Sequence, residues 1–414
     1  LPKVLALPVF ASDALSSVAY ATGEIFIQLA IVSTVFKGYV MPISIAIAAL
    51  MAIVVTSYRQ TVRAYPSGGG AYIVSKDNLG SWAGLIAAAA FLVDYMMTVV
   101  VSIVAGVFAI GSAFPAANEH KVILSIGFVW LVTIANLRGT RESWTLFAVP
   151  TYGFVVAILA MIAIGLVQCL GGCPATEPVE PIHNAATAAS AIGLFAVLRG
   201  FSSGATALTG VEAISNGVPA FRRPQARNAA ETLAIMGALA ITMFLGISWL
   251  AVHVPGTVAS DARSIPAQIA FAVFGGGLGF YVVQFFTAAI LILAANTAYQ
   301  DFPRLSSILA RDRYMPRQFM NRGDRLVFSN GILVLAVVSS VMIYAFGADL
   351  TRLIQLYVIG VFMSFTLSQS GMVVHWSRER RSGTTPARVW RRSIVINVIG
   401  AVAGALLLDV DEDA

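Results

Sequence analysis

Apolar residues in this chain come in long runs broken by short polar stretches. Runs near 6–33, 40–58, 82–113, 121–136, 145–168, 190–216, 230–252, 277–300, 327–346, 350–375 and 393–408 approach or exceed the about 20 residues that cross a hydrocarbon core. The pattern predicts eleven transmembrane helices, the fourth and the last of them short. No small-residue cleavage pattern follows a short apolar core, so the first run reads as a span and not as a removable signal. Hydrophobic residues make up 58% of the chain against 11% charged, with a mean hydropathy of +0.82. That balance lies outside the range of soluble domains. The fold class is an all-α polytopic membrane protein.

The net charge of +6 does not point to a nucleic-acid polymer, because the basic residues sort by topology. All but five of the 26 lie in alternate loops: Lys3; Arg59, Arg63 and Lys76; Arg138 and Arg141; Arg222, Arg223 and Arg227; and the Arg clusters at 304–325 and 378–392. Lys37, Lys121, Arg199, Arg263 and Arg352 are the exceptions. By the positive-inside rule, the N-terminus is expected on the cytoplasmic side of a bacterial inner membrane. Residue 1 is Leu and the sequence stops straight after a span, so the chain is expected to be a piece of a longer protein.

Polar residues at membrane depth carry the candidate chemistry. Span one holds Ser12, Asp13, Ser16, Ser17, Tyr20, Thr22 and Glu24. A carboxylate at the bilayer centre costs about 2.5–3.5 kcal/mol on insertion scales, so such groups face a protein interior or a watery cavity. Span three holds Asp94, Tyr95, Thr98 and Ser102; positions 94, 98 and 102 fall on one helix face. Helix packing would account for Thr98 and Ser102 but not for Asp94. Span six carries Gly200, Gly204 and Gly210 together with Thr209 and Glu212, and each glycine weakens a helix by about 1 kcal/mol relative to Ala. Span ten adds Tyr357, then Ser364, Thr366 and Ser368.

The segment Ala21-Thr22-Gly23-Glu24 of span one is echoed by Thr209-Gly210-Val211-Glu212 of span six. An offset of five spans reverses topology, so interrupted helices at one and six point to an inverted repeat with its site near the midplane. The expected architecture is LeuT-like: five plus five helices, repeats at about 1–168 and 190–375, and an additional span within 376–414.

Other features are read more plainly. Tyr65-Pro66-Ser67-Gly68-Gly69-Gly70-Ala71-Tyr72 is expected to be a flexible cytoplasmic turn, since a phosphate cradle would need a following Lys-Ser/Thr or a strand-turn-helix setting. Pro219–Pro224 and Asp301–Leu305 are expected to be basic loops that anchor topology. Cys169 and Cys173 could form a local disulfide, with two thiols the favoured reading. Four scattered His and two Cys do not build a zinc site. No Ser-His pair or Gly-x-Ser-x-Gly elbow lies in a span, so an enzyme is not expected, nor is a cofactor.

Asp13-Ala14-Leu15-Ser16-Ser17-Val18-Ala19-Tyr20, Pro66–Tyr72, Thr209-Gly210-Val211-Glu212 and Ala294–Arg304 together resemble the amino acid-polyamine-organocation superfamily, and within it the KimA-type branch of the KUP potassium transporter family. The resemblance covers nearly the whole chain. It implies high-affinity-type potassium uptake by proton-coupled symport with alternating access. Carried over by position, it implies a potassium pathway of Asp13, Tyr20, Asp94, Tyr95, Thr98, Ser102, Thr209 and Tyr357, with the ion at Asp13, Tyr20, Tyr95, Thr98 and Thr209 and the proton on Glu212. Family members also form homodimers and respond to cyclic di-AMP through a C-terminal domain absent from this chain.

Potassium needs oxygen ligands in place of water, and these residues supply them. Glu212 could instead pair with Arg199 or brace the interrupted helix, and Asp94 could be a structural partner of a basic group. Glu24 reads as a solvated or gating residue. A proton-coupled amino acid or polyamine transporter on the same scaffold is the alternative; carboxylates near the span-one break would suit a substrate amine and repel its carboxylate.

Overall fold

The computed structural model describes residues 2–30, 34–68, 70–138, 144–182, 193–320, 329–383 and 386–412. Every regular element among them is helical. Span one is Lys3–Ser16 (α1) and Val18–Ala30 (α2); Val40–Ala64 (α3) is followed by the short Gly70–Leu79 (α4), then Ser81–Ala113 (α5). One turn, Ala116–Glu119 (α6), leads to Lys121–Leu137 (α7) and Trp144–Cys169 (α8). The second half runs through Gly193–Gly204 (α9), Glu212–Asn216 (α10), Gln225–His253 (α11), the short Ile265–Phe274 (α12), Leu278–Arg311 (α13), Ser329–Ala345 (α14) and Leu350–Ser382 (α15). Ala387–Glu412 (α16) closes the described chain.

The two halves repeat in element length as well as in order. A short helix of 10 residues stands between the second and third spans of each half. The third spans have 33 and 34 residues, and the fourth spans 17 each. Packing follows the same symmetry, with α3 against α11, α5 against α13, α7 against α14, and span one against span six through α2 on α9 and α1 on α10. An element that packs on its own counterpart is what a pseudo-two-fold axis in the membrane plane produces. The five-plus-five plan is therefore visible in the contacts as well as in the order of the elements.

Eight helices among the described residues are long and apolar enough to cross a bilayer. The other three expected spans are α7 and α14, at 17 residues each, and the discontinuous sixth. Several helices overrun the apolar runs. The segment Asp301–Leu305, expected as a loop, is helical, because α13 continues through Pro303 to Arg311.

The two expected breaks differ in degree. Span six leaves α-helix at Gly204, tightens into a 3₁₀ turn over Ala205–Leu208, extends at Thr209 (ψ 154°) and turns left-handed at Gly210 (φ 76°) before α10 begins. Span one is interrupted at Ser17 alone, which stays in helical geometry. Its cause is local: the Asp13 carbonyl accepts from the Ser16 hydroxyl (2.8 Å), the Ser17 hydroxyl (3.1 Å) and the Ser17 backbone N–H (3.2 Å). Hydroxyl back-bonding of this kind bends a helix without unwinding it. Nor do all three glycines of span six break it. Gly204 sits in helix where the Ile25 and Ile47 side chains close in, a small residue that lets helices approach.

The two cysteines are bonded to each other as Cys169–Cys173, which corrects the expectation of two thiols. A separation of four residues at the end of α8, with a turn through Leu170–Gly172, brings the sulfurs together. Among the described residues Arg199 pairs with no carboxylate, and its Nε is buried without a hydrogen-bond partner.

The additional span is fastened by a polar clasp. Asn397 on α16 is wholly buried; its amide donates to Gln60 Oε1 (2.9 Å) and its oxygen accepts from Ser57 (2.7 Å), whose hydroxyl also meets Gln369 Oε1 at 2.6 Å. Asn397→Leu takes the donor from Gln60 Oε1 and one of two acceptors from Ser57, at a cost of about 1–3 kcal/mol. Thermal unfolding of the purified protein in detergent should show a melting temperature lowered by several degrees, with Val395→Ala on the exposed face of α16 unchanged.

Candidate functional site

The break in span six lies against the bend in span one. Gly210 comes so near to Asp13 that a Cβ there would stand 2.8 Å from the carboxylate and 2.6 Å from the Ala14 backbone nitrogen. Its left-handed φ also excludes most side chains. Beside it, Ser17 Oγ meets Thr209 Oγ1 at 2.6 Å, the Thr209 hydroxyl approaches the Thr206 carbonyl at 2.9 Å, and Tyr20 donates to Ser17 at 3.1 Å. Asp13, Ser17, Tyr20 and Thr209 thus form one group, with Asp13 Oδ1 buried and unpartnered among the described residues.

Across from them, Thr98 Oγ1 and Tyr357 Oη lie 3.0 Å apart, and Asp13, Asp94 and Tyr20 all act electrostatically on Tyr357. Asp94 lies beside Glu212. A hydrogen bond between two such carboxyls needs a proton on one of them, since an ionised carboxylate only accepts. Asp13 lies within electrostatic range of Glu212. Five of the eight expected pathway residues (Asp13, Tyr20, Thr98, Thr209 and Tyr357) thus fall into two groups, Asp13 with Tyr20 and Thr209, and Thr98 with Tyr357, within electrostatic range of each other and of Asp94. Ser102 is buried one turn beyond Thr98.

Tyr95 belongs elsewhere. Its hydroxyl accepts from Asn216 Nδ2 at 3.0 Å, its ring stacks on Phe91, and it lines a cavity of about 200 Å³ with Asn216, Asp301 and Arg304. That cavity opens on the basic face. There Gly68 and Gly70, expected in a flexible turn, are a seat for the broken helix: both back onto Asn216, and α4 starts at Gly70. On the opposite face a cavity of about 250 Å³ reaches down to Tyr20. Oxygen donors from four spans thus lie between two blind cavities, Tyr20 at the floor of one and Tyr95 in the lining of the other.

Ser17, Asn216 and Asp301 were not among the expected pathway residues. Ser17 had a usable signal, lying four residues after Asp13 and so on the same helix face. Asn216 and Asp301 had none, being brought together only by the turn after α10.

Basic-face ties hold the second cavity's rim. Asp312 accepts from Lys76 and from the Tyr72 hydroxyl, both at 2.6 Å. Those bonds hold its carboxyl below the usual carboxylate range. With a folded value below the unfolded one, the tie is present above the ordinary carboxylate pKa and is lost only as pH falls through the lowered value. Both groups are about a third exposed or more, so the tie is worth at most about 1 kcal/mol. Arg378 reaches from α15 to the Asp77 and Asn78 carbonyls, and Arg304 to that of Asn216.

Gly210→Ala is expected to cost at least about 1–2 kcal/mol from the left-handed backbone alone. Its melting temperature should fall well below that of Gly200→Ala, where a Cβ meets nothing nearer than 3.5 Å; equal values would remove the close approach to Asp13 as a constraint.

Comparison with known proteins bears on the family and the fold. The family model described as amino acid permease matches residues 9–408. Potassium transporter KimA of Bacillus subtilis (strain 168) is 48% identical over 412 residues, 99% of this chain; the chain spans 66% of that relative's length. The low-affinity putrescine importer PlaP of Escherichia coli (strain K12) is 22% identical over 396 residues, 94% of this chain and 85% of the importer. Among solved structures, a mutant of the Eremococcus coleocola manganese transporter shares the fold with a TM-score of 0.53 at 13% identity, over 98% of this chain and 85% of that one. The chain belongs to the amino acid permease family.

Proposed function

We propose that the chain is the transport core of a high-affinity-type potassium uptake system driven by proton symport. The observation that carries this reading is the buried set of oxygen donors at Asp13, Ser17, Tyr20, Thr98, Thr209 and Tyr357, beside the neighbouring Asp94 and Glu212 carboxyls. Dehydrated potassium is held by carbonyl and hydroxyl oxygens, and Asp13 with its unpartnered oxygen supplies the compensating charge. The 48% identity to a potassium transporter supports the choice of ion.

In this reading the basic face is cytoplasmic and the cavity ending at Tyr20 opens outward. Potassium enters there, rests between spans one, three, six and ten, and leaves past Tyr95 when the broken helix shifts. Glu212 carries the coupled proton. Glu212 lies beside Asp94, so in this reading the arrival of a cation near Asp94 weakens the hold on the proton through charge repulsion. Span one, being bent and not unwound, offers few free carbonyls; side chains and the Thr206–Gly210 backbone do more of the ligation than an unwound helix would require.

The test is potassium uptake by the full-length protein in proteoliposomes, with and without an inward proton gradient. A gradient is expected to drive uptake in the wild type. Glu212→Gln should make any residual uptake indifferent to the gradient, and Asp13→Asn should raise the half-saturating potassium by about tenfold or more. Labelled putrescine that accumulates while potassium does not would replace this substrate with a polyamine, the class to which the distant importer points.

A further inference from the structure

Glu24 is left over by this mechanism, and its setting is that of a site. It is 1% exposed; Oε1 accepts from the Thr351 hydroxyl at 3.3 Å, and Oε2 is buried with no partner among the described residues. It follows Tyr20 by four residues, so the two lie on one face of α2, and Tyr20, Gly23, Glu24 and Ile27 all line the cavity opposite the basic face. The cavity's other charged lining residues are Lys121, Asp261, Arg263 and Asp349. Arg263 is engaged by Glu177 at 2.9 Å and lies over the Phe271 and Phe280 rings. Asp349 caps α15 through the Arg352 N–H and pairs with the Arg352 side chain.

A carboxylate is not needed to hold Thr351, since an amide oxygen would accept the same bond. A buried carboxylate with a vacant oxygen at the floor of a cavity is a different matter, because it is costly unless a cation or proton meets it. Among the described residues no three acidic, His or Cys side chains converge to hold a metal ion, so the seat offers one full charge and neutral oxygens, which suits a singly charged cation better than a divalent one.

We propose that Glu24 and Thr351 form a second, outer binding site for a monovalent cation. An entering ion exchanges part of its water shell there, then passes along the α2 face by Tyr20 to Asp13 and Thr209. This inference rests on the reading of the chain as a potassium importer whose Tyr20 cavity opens outward.

The experiment counts ions and locates the step. Equilibrium binding of radiolabelled rubidium to the purified full-length protein should give one ion fewer per chain for Glu24→Gln than for wild type. In proteoliposomes, half-saturation for external potassium should rise about tenfold with the maximal rate held within about twofold, and half-saturation for efflux should not move. Thr351→Val, which leaves the carboxylate in place, should weaken the same site by a smaller factor. Equal rubidium counts, or an unchanged external half-saturation, would overturn the site. So would a parallel loss at entry and exit with a lowered melting temperature, because Glu24 would then be only a brace for the start of α15. Wild-type protein that binds the extra rubidium but carries no potassium would overturn the substrate reading and leave the site standing.

Discussion

Everything in this molecule answers to the difficulty of keeping carboxyl groups away from water. Asp13, Asp94 and Glu212 sit within one electrostatic neighbourhood in the middle of a hydrophobic protein, and three charges so placed would repel each other strongly. The structure relieves this in two ways. Asp94 and Glu212 lie side by side, where one shared proton would dispose of one charge, and hydroxyls from spans one, three, six and ten lie near the rest. The departure from helix at Thr209–Gly210 follows from the same need. It turns a segment of backbone toward Asp13 that a continuous helix would keep to itself.

The surrounding scaffold is arranged to hold that departure in place. Gly210 is pressed against Asp13, Asn216 against Gly68 and Gly70, and the start of α13's last turns against the Asn216 carbonyl through Arg304. A short broken helix with few hydrogen bonds of its own is thus gripped by α1, the start of α4 and α13. The long helices are paired across the pseudo-two-fold axis, so the grip on one half is mirrored by the packing of the other. α16 stands outside the symmetry and is tied in by Asn397 instead.

Much of the plan was legible in the sequence, because a bilayer imposes its thickness on apolar runs. Span positions, the sorting of basic residues and the relation between spans one and six all came from that constraint. The site residues were legible for a related reason: Asp13, Asp94 and Glu212 have no place in hydrocarbon unless something uses them. Local geometry was not. Whether Ser17 bends a helix or opens it depends on which hydroxyl finds the Asp13 carbonyl. Asp301 looked like loop because Pro303 follows it, yet a proline within α13 is tolerated where neighbouring helices support the chain. Tyr95, adjacent to Asp94 in sequence, points into a different cavity, and adjacency in a helix never fixes a common face.

The two blind cavities have an electrical consequence. Each has room for several waters at about 30 Å³ apiece, and aqueous space conducts, so each brings the potential of its own side deep into the protein. In a bilayer the transmembrane voltage would then be concentrated in the layer that separates the two cavities. A charge moved within that layer would cross a larger share of the field, the whole being worth about 2.3 kcal/mol per 100 mV, than the same displacement in continuous hydrocarbon. A rearrangement of the broken helix that carries charge there would therefore respond to the membrane potential.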